Sequence, residues 1–314
     1  MSSPAGAAPL PIDARAGGMM VLLCLIWGLQ QVAIKAVAAD IAPILQIGLR
    51  SGVAAVLVVL LIRWRGERID WSAGTWRPGI LVGVLFALEY LLVGEGLRYT
   101  TASHMSVFLY TAPIFAALGL QWKLPAERLS FIQWLGIFVA FLGIVVAFYD
   151  RGPSAAGFSA DMLIGDLLGL MAGAAWGATT VVLRCTRLAH APTTHTLLYQ
   201  LIGAAVILVG AAAVSGQAAI HPTPLAYASM LYQILLIAFG SLLAWFWLLR
   251  TYLASRLGVL SFMTPLFGVA FGVWLLDEPL DAGFVIGAIL VMAGILLVSG
   301  HEWLRSRLRA RPAG

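Results

Sequence analysis

Charge is what this sequence has least of. Asp, Glu, Lys and Arg make up 11% of its 314 residues, against about 25% in a water-soluble domain, while 61% are apolar. Such a surface cannot be wetted on all sides, which excludes a soluble globular protein. Cysteine is nearly absent too. Cys24 and Cys185 sit in apolar runs without CxxC spacing or histidines at ligand distance, so they read as small buried hydrophobes and no metal site is expected. Catalytic signatures are missing: there is no HExxH, no GxSxG and no Gly-rich phosphate loop followed by Lys-Ser/Thr. No enzymatic residue, no cofactor and no direct ATP drive is therefore expected.

The net charge of +5 does not point to nucleic acid. The basic residues cluster at the ends of apolar runs, and no basic face interleaved with aromatics is present. A membrane-spanning helix needs about 20 mostly apolar residues. Runs of that kind occupy 17–37, 41–62, 78–97, 102–121, 130–149, 162–183, 195–214, 227–249, 257–276 and 281–300. The spacing predicts an all-α integral membrane protein of ten transmembrane helices with a flexible tail over 1–16 and a basic tail over 301–314. A signal peptide ending at Ala36-Val37-Ala38 is the competing reading of the first run, but that run is long and holds Gln30, Gln31 and Lys35.

Orientation follows from the basic residues. With the N-terminus in the cytoplasm, fifteen of the nineteen Lys and Arg fall on the inner side, from Arg15 to Arg311. Three (Lys35, Arg98, Arg151) fall outside and Arg50 lies within a helix. That bias fits ten spans with both termini inside; nine would strand the C-terminal arginines outside.

The two halves repeat. Trp27-Gly28 recurs as Trp176-Gly177, Lys35 matches Arg184 and Pro43 matches Pro192, all 149 residues apart. Ala102-Ser103 recurs as Ala254-Ser255, Pro113 as Pro265 and Trp122 as Trp274 at 152, and Gly136 and Gly143 as Gly287 and Gly294 at 151. Five spans per copy is an odd number, so the copies over 17–150 and 162–300 enter the membrane from opposite sides. An inverted repeat of this kind suits a carrier with a solute site near the midplane.

The same residues carry a resemblance. The Trp-Gly of the first helix, the stretches 102–113 and 254–265, and Glu127 and Glu278 ahead of Gly-rich helices are similar to the drug/metabolite transporter superfamily, in its EamA-type members with two repeats. Within it the chain is similar to the YddG group of bacterial amino-acid exporters. The usual Gly before the first acidic residue is replaced here, giving Leu-Pro-Ala-Glu127. The resemblance implies metabolite efflux across a bacterial inner membrane, with amino acids, especially aromatic and hydrophobic ones, as the solutes.

Two charges at the centre of spans need a reason, because each costs at least about 2.5–3.5 kcal/mol there. Arg50 and Glu89 lie at similar depth, roughly 18 Å in at 1.5 Å per residue, on sequential antiparallel helices. They can form a buried structural pair, or Glu89 can serve substrate binding or coupling. Trp27, Gln30, Tyr90, Tyr110, Thr111, Trp176, Thr180, Tyr199, Ser241, Trp245, Phe262 and Thr264 are the other mid-depth candidates. Together they describe a ring-rich substrate cavity suited to a zwitterion with an apolar body rather than to a phosphate. Pro113 and Pro265 are the candidate hinges, expected to kink matching helices. His104 is placed near an outer helix end beside the Glu95–Arg98 pair, and tryptophans such as Trp64, Trp71, Trp76, Trp122, Trp274 and Trp303 read as interfacial anchors.

Alternatives stay open. Cationic drugs or quaternary ammonium compounds could use Glu89 amid Tyr90 and Trp176. A lipid scramblase would need a polar furrow facing lipid, and an intramembrane enzyme a reactive pair at the midplane, which the spans do not offer. The expected partners are a small-molecule substrate and the bilayer, with a monomer as the default assembly.

Overall fold

A computed structural model of the chain describes residues 13–67, 74–123, 129–149, 160–252, 257 and 260–309. Several sequence features, among them Glu127, Arg128, Arg151, Ser255, Arg256, Trp71, most of the N-terminal tail and the end of the C-terminal one, lie outside the described residues. In chain order the helices are α1 (Ala14–Ala36), α2 (Pro43–Trp64), α3 (Trp76–Gly96), α4 (Ala102–Leu109), α5 (Ala112–Lys123) and α6 (Phe131–Tyr149). They continue with α7 (Ala160–Cys185), α8 (Thr193–Val214), α9 (Pro224–Tyr232), α10 (Leu242–Thr251), α11 (Met263–Leu276) and α12 (Ala282–Arg309). The chain is mostly helical; among the described residues there is no strand, and Ile41 and Ile220 make one isolated β-bridge.

Among the described residues, seven stretches are long and apolar enough to cross a membrane: α1, α2, α3, α4 with α5, α7, α8, and Pro224–Trp245, which runs from α9 into α10. Three shorter apolar helices lie within α6, α11 and α12. Large apolar side chains point outward along these helices, including Val56, Phe138, Val206, Tyr227 and Ile289, each more than half exposed. A row of that kind on α2, α6, α8, α9 and α12 is stable only against lipid. Trp64, Trp122 and Trp274 stand well exposed near helix ends, the position of interfacial anchors.

Helix ends follow local chemistry. Asp13 caps α1 by accepting the Ala16 N–H at 2.7 Å, so the helix starts three residues earlier than the expected tail boundary. At the other end α12 runs on to Arg309, into the region expected to be tail. Gly66 and Gly216, 150 residues apart, both take positive φ (66° and 72°) just past α2 and α8, where a left-handed residue ends a helix at least cost.

Helix contacts pair across the halves, and small residues decide where. A Cβ on Gly28 of α1 would strike Phe267 and Gly268 of α11; one on Gly177 of α7 would strike Phe115 and Ala116 of α5. Phe115 and Ala116 precede Phe267 and Gly268 by 152 residues, so the Trp-Gly dipeptides mark equivalent crossings. Between α6 and α12, Gly136 meets the Gly294 carbonyl and Gly143 the Gly287 carbonyl, an antiparallel contact that repeats on itself. In the same way Gly48 and Gly52 of α2 run antiparallel to Val209 and Ala205 of α8.

The prolines work differently from the expected kinks. The fourth apolar run is broken outright at Tyr110 and Thr111, and Pro113 is the second residue of α5. Pro265 is likewise the third residue of α11, after a turn at Phe262. Proline lacks the N–H that a first helical turn leaves unbonded anyway, so it seeds the new helix rather than bending an old one. A nine-residue π-helical stretch, Gln233–Ser241, interrupts the eighth apolar run.

Candidate functional site

Between α1, α2, α3, α7, α8 and the π stretch lies a cavity of about 430 Å³. It extends to the short 3₁₀ turn Arg187–His190 that joins α7 to α8, where Leu188, Ala189 and Ala191 border it. Trp27, Gln30, Arg50, Glu89, Tyr90, Tyr110, Trp176 and Trp245, all named by the sequence, line this space.

Rings form much of the wall and are set edge to face. Trp27 meets Trp245 at 5.6 Å between centroids, Tyr110 meets Trp176 at 5.3 Å, and Phe86 meets Tyr90 at 4.8 Å. Each pair joins two rings whose quadrupoles favour that geometry, which leaves ring faces available. Trp27 is also tied by its indole N–H to Ser241 Oγ at 2.9 Å, and that hydroxyl donates to the Ile237 carbonyl. Ser241 thus holds the ring from behind and is absent from the lining. A π-helix turns less per residue than an α-helix, so the stretch Gln233–Ser241 shifts which residues of this span face inward.

Arg50 and Glu89 are both buried, 3% and 4% exposed, and both reach the cavity. No salt bridge joins them. The structural pair considered from sequence is not made: Arg50 donates to Gln233 Oε1 at 3.3 Å and lies 4.9 Å over the ring of Tyr90. Gln233 is itself braced by Gln46 Oε1 and Ser229 Oγ. Among the described residues Glu89 Oε2 has no hydrogen-bond partner. An isolated buried carboxylate oxygen is expensive, so this is an acceptor oxygen that a ligand could satisfy.

Other sequence candidates lie elsewhere. Tyr199 packs against Gly79 and Gly83 of α3, in a separate small pocket. Thr111 Oγ1 donates to the Phe108 carbonyl and closes the break before α5. Thr180 bonds back to the Trp176 carbonyl. Phe262 belongs to an apolar core with Phe108 and Phe284. Thr264 is buried behind the lining, near Tyr110 and Cys24. The cause is common to all: similar depth in a span does not fix the face, because a helix turns 100° per residue. Gln31, Ser51, Phe86 and Gln200 line the cavity without having been singled out. Gln46 and Gln233 stand behind Arg50, and the burial argument that found Arg50 would have found these glutamines too.

At the opposite end the buried polar groups are bonded to one another. Lys35 donates to the Thr100 carbonyl, Thr100 Oγ1 donates to Asp166, and His104 Nδ1 sits 3.0 Å from the same carboxylate. His104 stacks on Phe284 at 3.8 Å. Its partner is therefore Asp166 of α7 and not the exposed Glu95–Arg98 pair, which closes on itself at 2.6 Å. Glu278 accepts from Ala102 N, Ser103 N and Ser103 Oγ at 2.7–2.9 Å, a carboxylate set on the N-terminus of α4. Asp277, at φ 51°, turns the chain so that Glu278 can reach back, and Gly272 leaves room for it.

Comparisons with known proteins agree with this architecture. The model of the EamA-like transporter family matches residues 15–149 and again 163–300. An uncharacterized transporter of Bacillus subtilis (strain 168), YoaV, is 26% identical over 88% of this chain and 94% of its own length. A probable amino-acid metabolite efflux pump of Escherichia coli (strain K12) is 25% identical over 92% of this chain and 97% of its own. A solved crystal structure overlays 95% of the chain and 100% of its own with a TM-score of 0.65 at 18% identity, a likeness of fold. Two family matches covering both halves make the chain a member of the EamA-like transporter family.

Proposed function

We propose that this transporter is a secondary carrier that exports small amphiphilic metabolites, foremost amino acids with aromatic or hydrophobic side chains, as in the YddG group. In this reading ten crossings form two inverted five-helix halves over 17–150 and 162–300. Both termini are cytoplasmic, and the protein works as a monomer in a bacterial inner membrane. Alternating access exchanges which half closes. The pairing of α1 with α11 and of α7 with α5, and the self-repeating α6–α12 contact, support the inverted arrangement.

One observation carries the substrate class: Arg50 and Glu89 share one ring-lined cavity without bonding each other. A zwitterion fits both at once, its carboxylate toward the Arg50 guanidinium and its ammonium toward Glu89 Oε2, with an apolar body among Trp27, Trp176 and Trp245. The volume, about 430 Å³, falls in the range of small-molecule sites. A cationic drug would satisfy Glu89 but leave Arg50 facing a like charge, so it ranks second.

Purified protein in liposomes, offered labelled phenylalanine, threonine and a cationic dye, separates these readings. Phenylalanine transport that E89Q and R50Q each lower about tenfold or more supports the zwitterion site. Dye transport retained in R50Q, with phenylalanine ignored, would replace it with the cation reading. E89Q with unchanged rate and pH profile would remove Glu89 from the mechanism.

A further inference from the structure

A second, smaller cavity adjoins the first where α3 and α8 both begin. It holds about 180 Å³, and Thr75, Arg187, His190, Pro192, His195 and Tyr199 contribute to its wall. Among the described residues its ionisable lining is two histidines and an arginine, plus the Tyr199 phenol, with no carboxylate. Glu67, an acidic neighbour, is occupied outside it, accepting from Thr194 Oγ1 at 2.8 Å and lying 3.8 Å from Arg65.

Three features converge on this space. His195 is 6% exposed and, among the described residues, its Nε2 has no hydrogen-bond partner, a buried ring nitrogen that a ligand could meet. Arg187 lies flat against Gly74, where a Cβ would collide with its guanidinium and Cδ, so the missing side chain at 74 sets where that charge sits. Two helices also point their N-termini here, α3 behind Thr75 and α8 behind Pro192, and α8 has no side-chain cap. Exposed amides and the positive end of a helix dipole favour an oxyanion. The level in the membrane suits a headgroup: Trp76 and Ile80, next along α3, are 40% and 54% exposed.

We propose that this pocket binds a phosphate oxyanion, presented by the headgroup of an anionic phospholipid, with Arg187 and His195 as its two principal donors. This site is separate from the solute cavity and does not depend on which solute that cavity takes. The two spaces share Leu188 and Ala191. A bound headgroup would therefore brace the turn Arg187–His190 at the border of the larger cavity.

The test uses full-length protein in phosphatidylcholine nanodiscs, with phosphatidylglycerol added to one set and inorganic phosphate to another. Melting temperature and native mass spectrometry of bound lipid are the readouts. Phosphatidylglycerol is expected to raise the melting temperature of the wild type and to be retained as a discrete adduct. The double variant R187Q/H195Q should lose both effects. G74A keeps the charge but pushes the arginine aside, and should weaken the apparent lipid affinity about tenfold, the order of one charge-assisted hydrogen bond. K123Q, which removes a distant cation lying over Trp122, should change nothing. Stabilisation by inorganic phosphate alone, lost in R187Q/H195Q, would keep the oxyanion site but overturn the lipid as its source. No effect of either anion, or an equal loss in K123Q, would overturn the site, the latter by reducing it to diffuse surface charge. Should R187Q/H195Q fail to fold, G74A against K123Q decides in the same way.

Discussion

The two ends of the bundle hold buried charge in opposite ways. At the end away from the cavity Lys35, Asp166, His104 and Glu278 are engaged by partners distant in sequence, Thr100 and the start of α4 among them. In the cavity Arg50 and Glu89 are as deeply buried yet do not bond each other: Arg50 leans on Gln233 and Tyr90, and among the described residues Glu89 Oε2 has no hydrogen-bond partner. A charge fully met within the chain holds helices together; a charge left half met keeps its capacity for a solute.

Substitutions should separate these roles. Asp166→Ala strips two partners, Thr100 and His104, from a fully buried cluster, and is expected to cost about 3–5 kcal/mol, read as a large fall in melting temperature in detergent. Solute affinity of whatever protein folds should barely move. E89Q reverses the pattern. Phenylalanine transport should drop by about tenfold or more, the scale of one charge-assisted hydrogen bond, while the melting temperature holds or rises because a lone buried charge is gone. A melting temperature that falls as far as that of Asp166→Ala would make Glu89 structural and erase the contrast.

Gly136→Ala tests the shared seam. Its methyl would meet the Gly294 carbonyl and Leu297, and overpacking of that kind costs about 1–3 kcal/mol. Gly210→Ala, with nothing within 4 Å of its Cβ, is the matched control and should be neutral. The smallest effect belongs to Asp13. The Ala16 N–H holds its carboxyl below the ordinary value of 3.8, so the cap contributes above that range and is lost as the pH falls through the lowered value. Asp13→Ala should melt slightly earlier than wild type at neutral pH, and the gap should close in strong acid.

Much of this was readable in advance because the physics was local. A Trp-Gly dipeptide repeated at 149 residues marks a crossing, since only glycine lets α1 and α7 approach their partners so closely. Arg50 and Glu89 announced themselves because charge in an apolar run is costly wherever it ends up. What stayed hidden depended on rotation and on distant partners. Tyr199, Phe262 and Thr264 share the depth of the cavity but face other helices. His104 looked like a boundary residue because its partner Asp166 comes from the other half of the chain. The π stretch carries no sequence signature, although it sets which residues of that span, Ile237 and Ala238 among them, reach the cavity.

Inverted symmetry is tested most directly by where the chain ends lie. Short tags appended before Met1 and after Gly314 can be probed in intact cells with an impermeant label. Five crossings per half predict that both tags stay unlabelled until the membrane is permeabilised. One tag labelled in intact cells and the other protected would contradict the odd parity and the exchange of roles between halves.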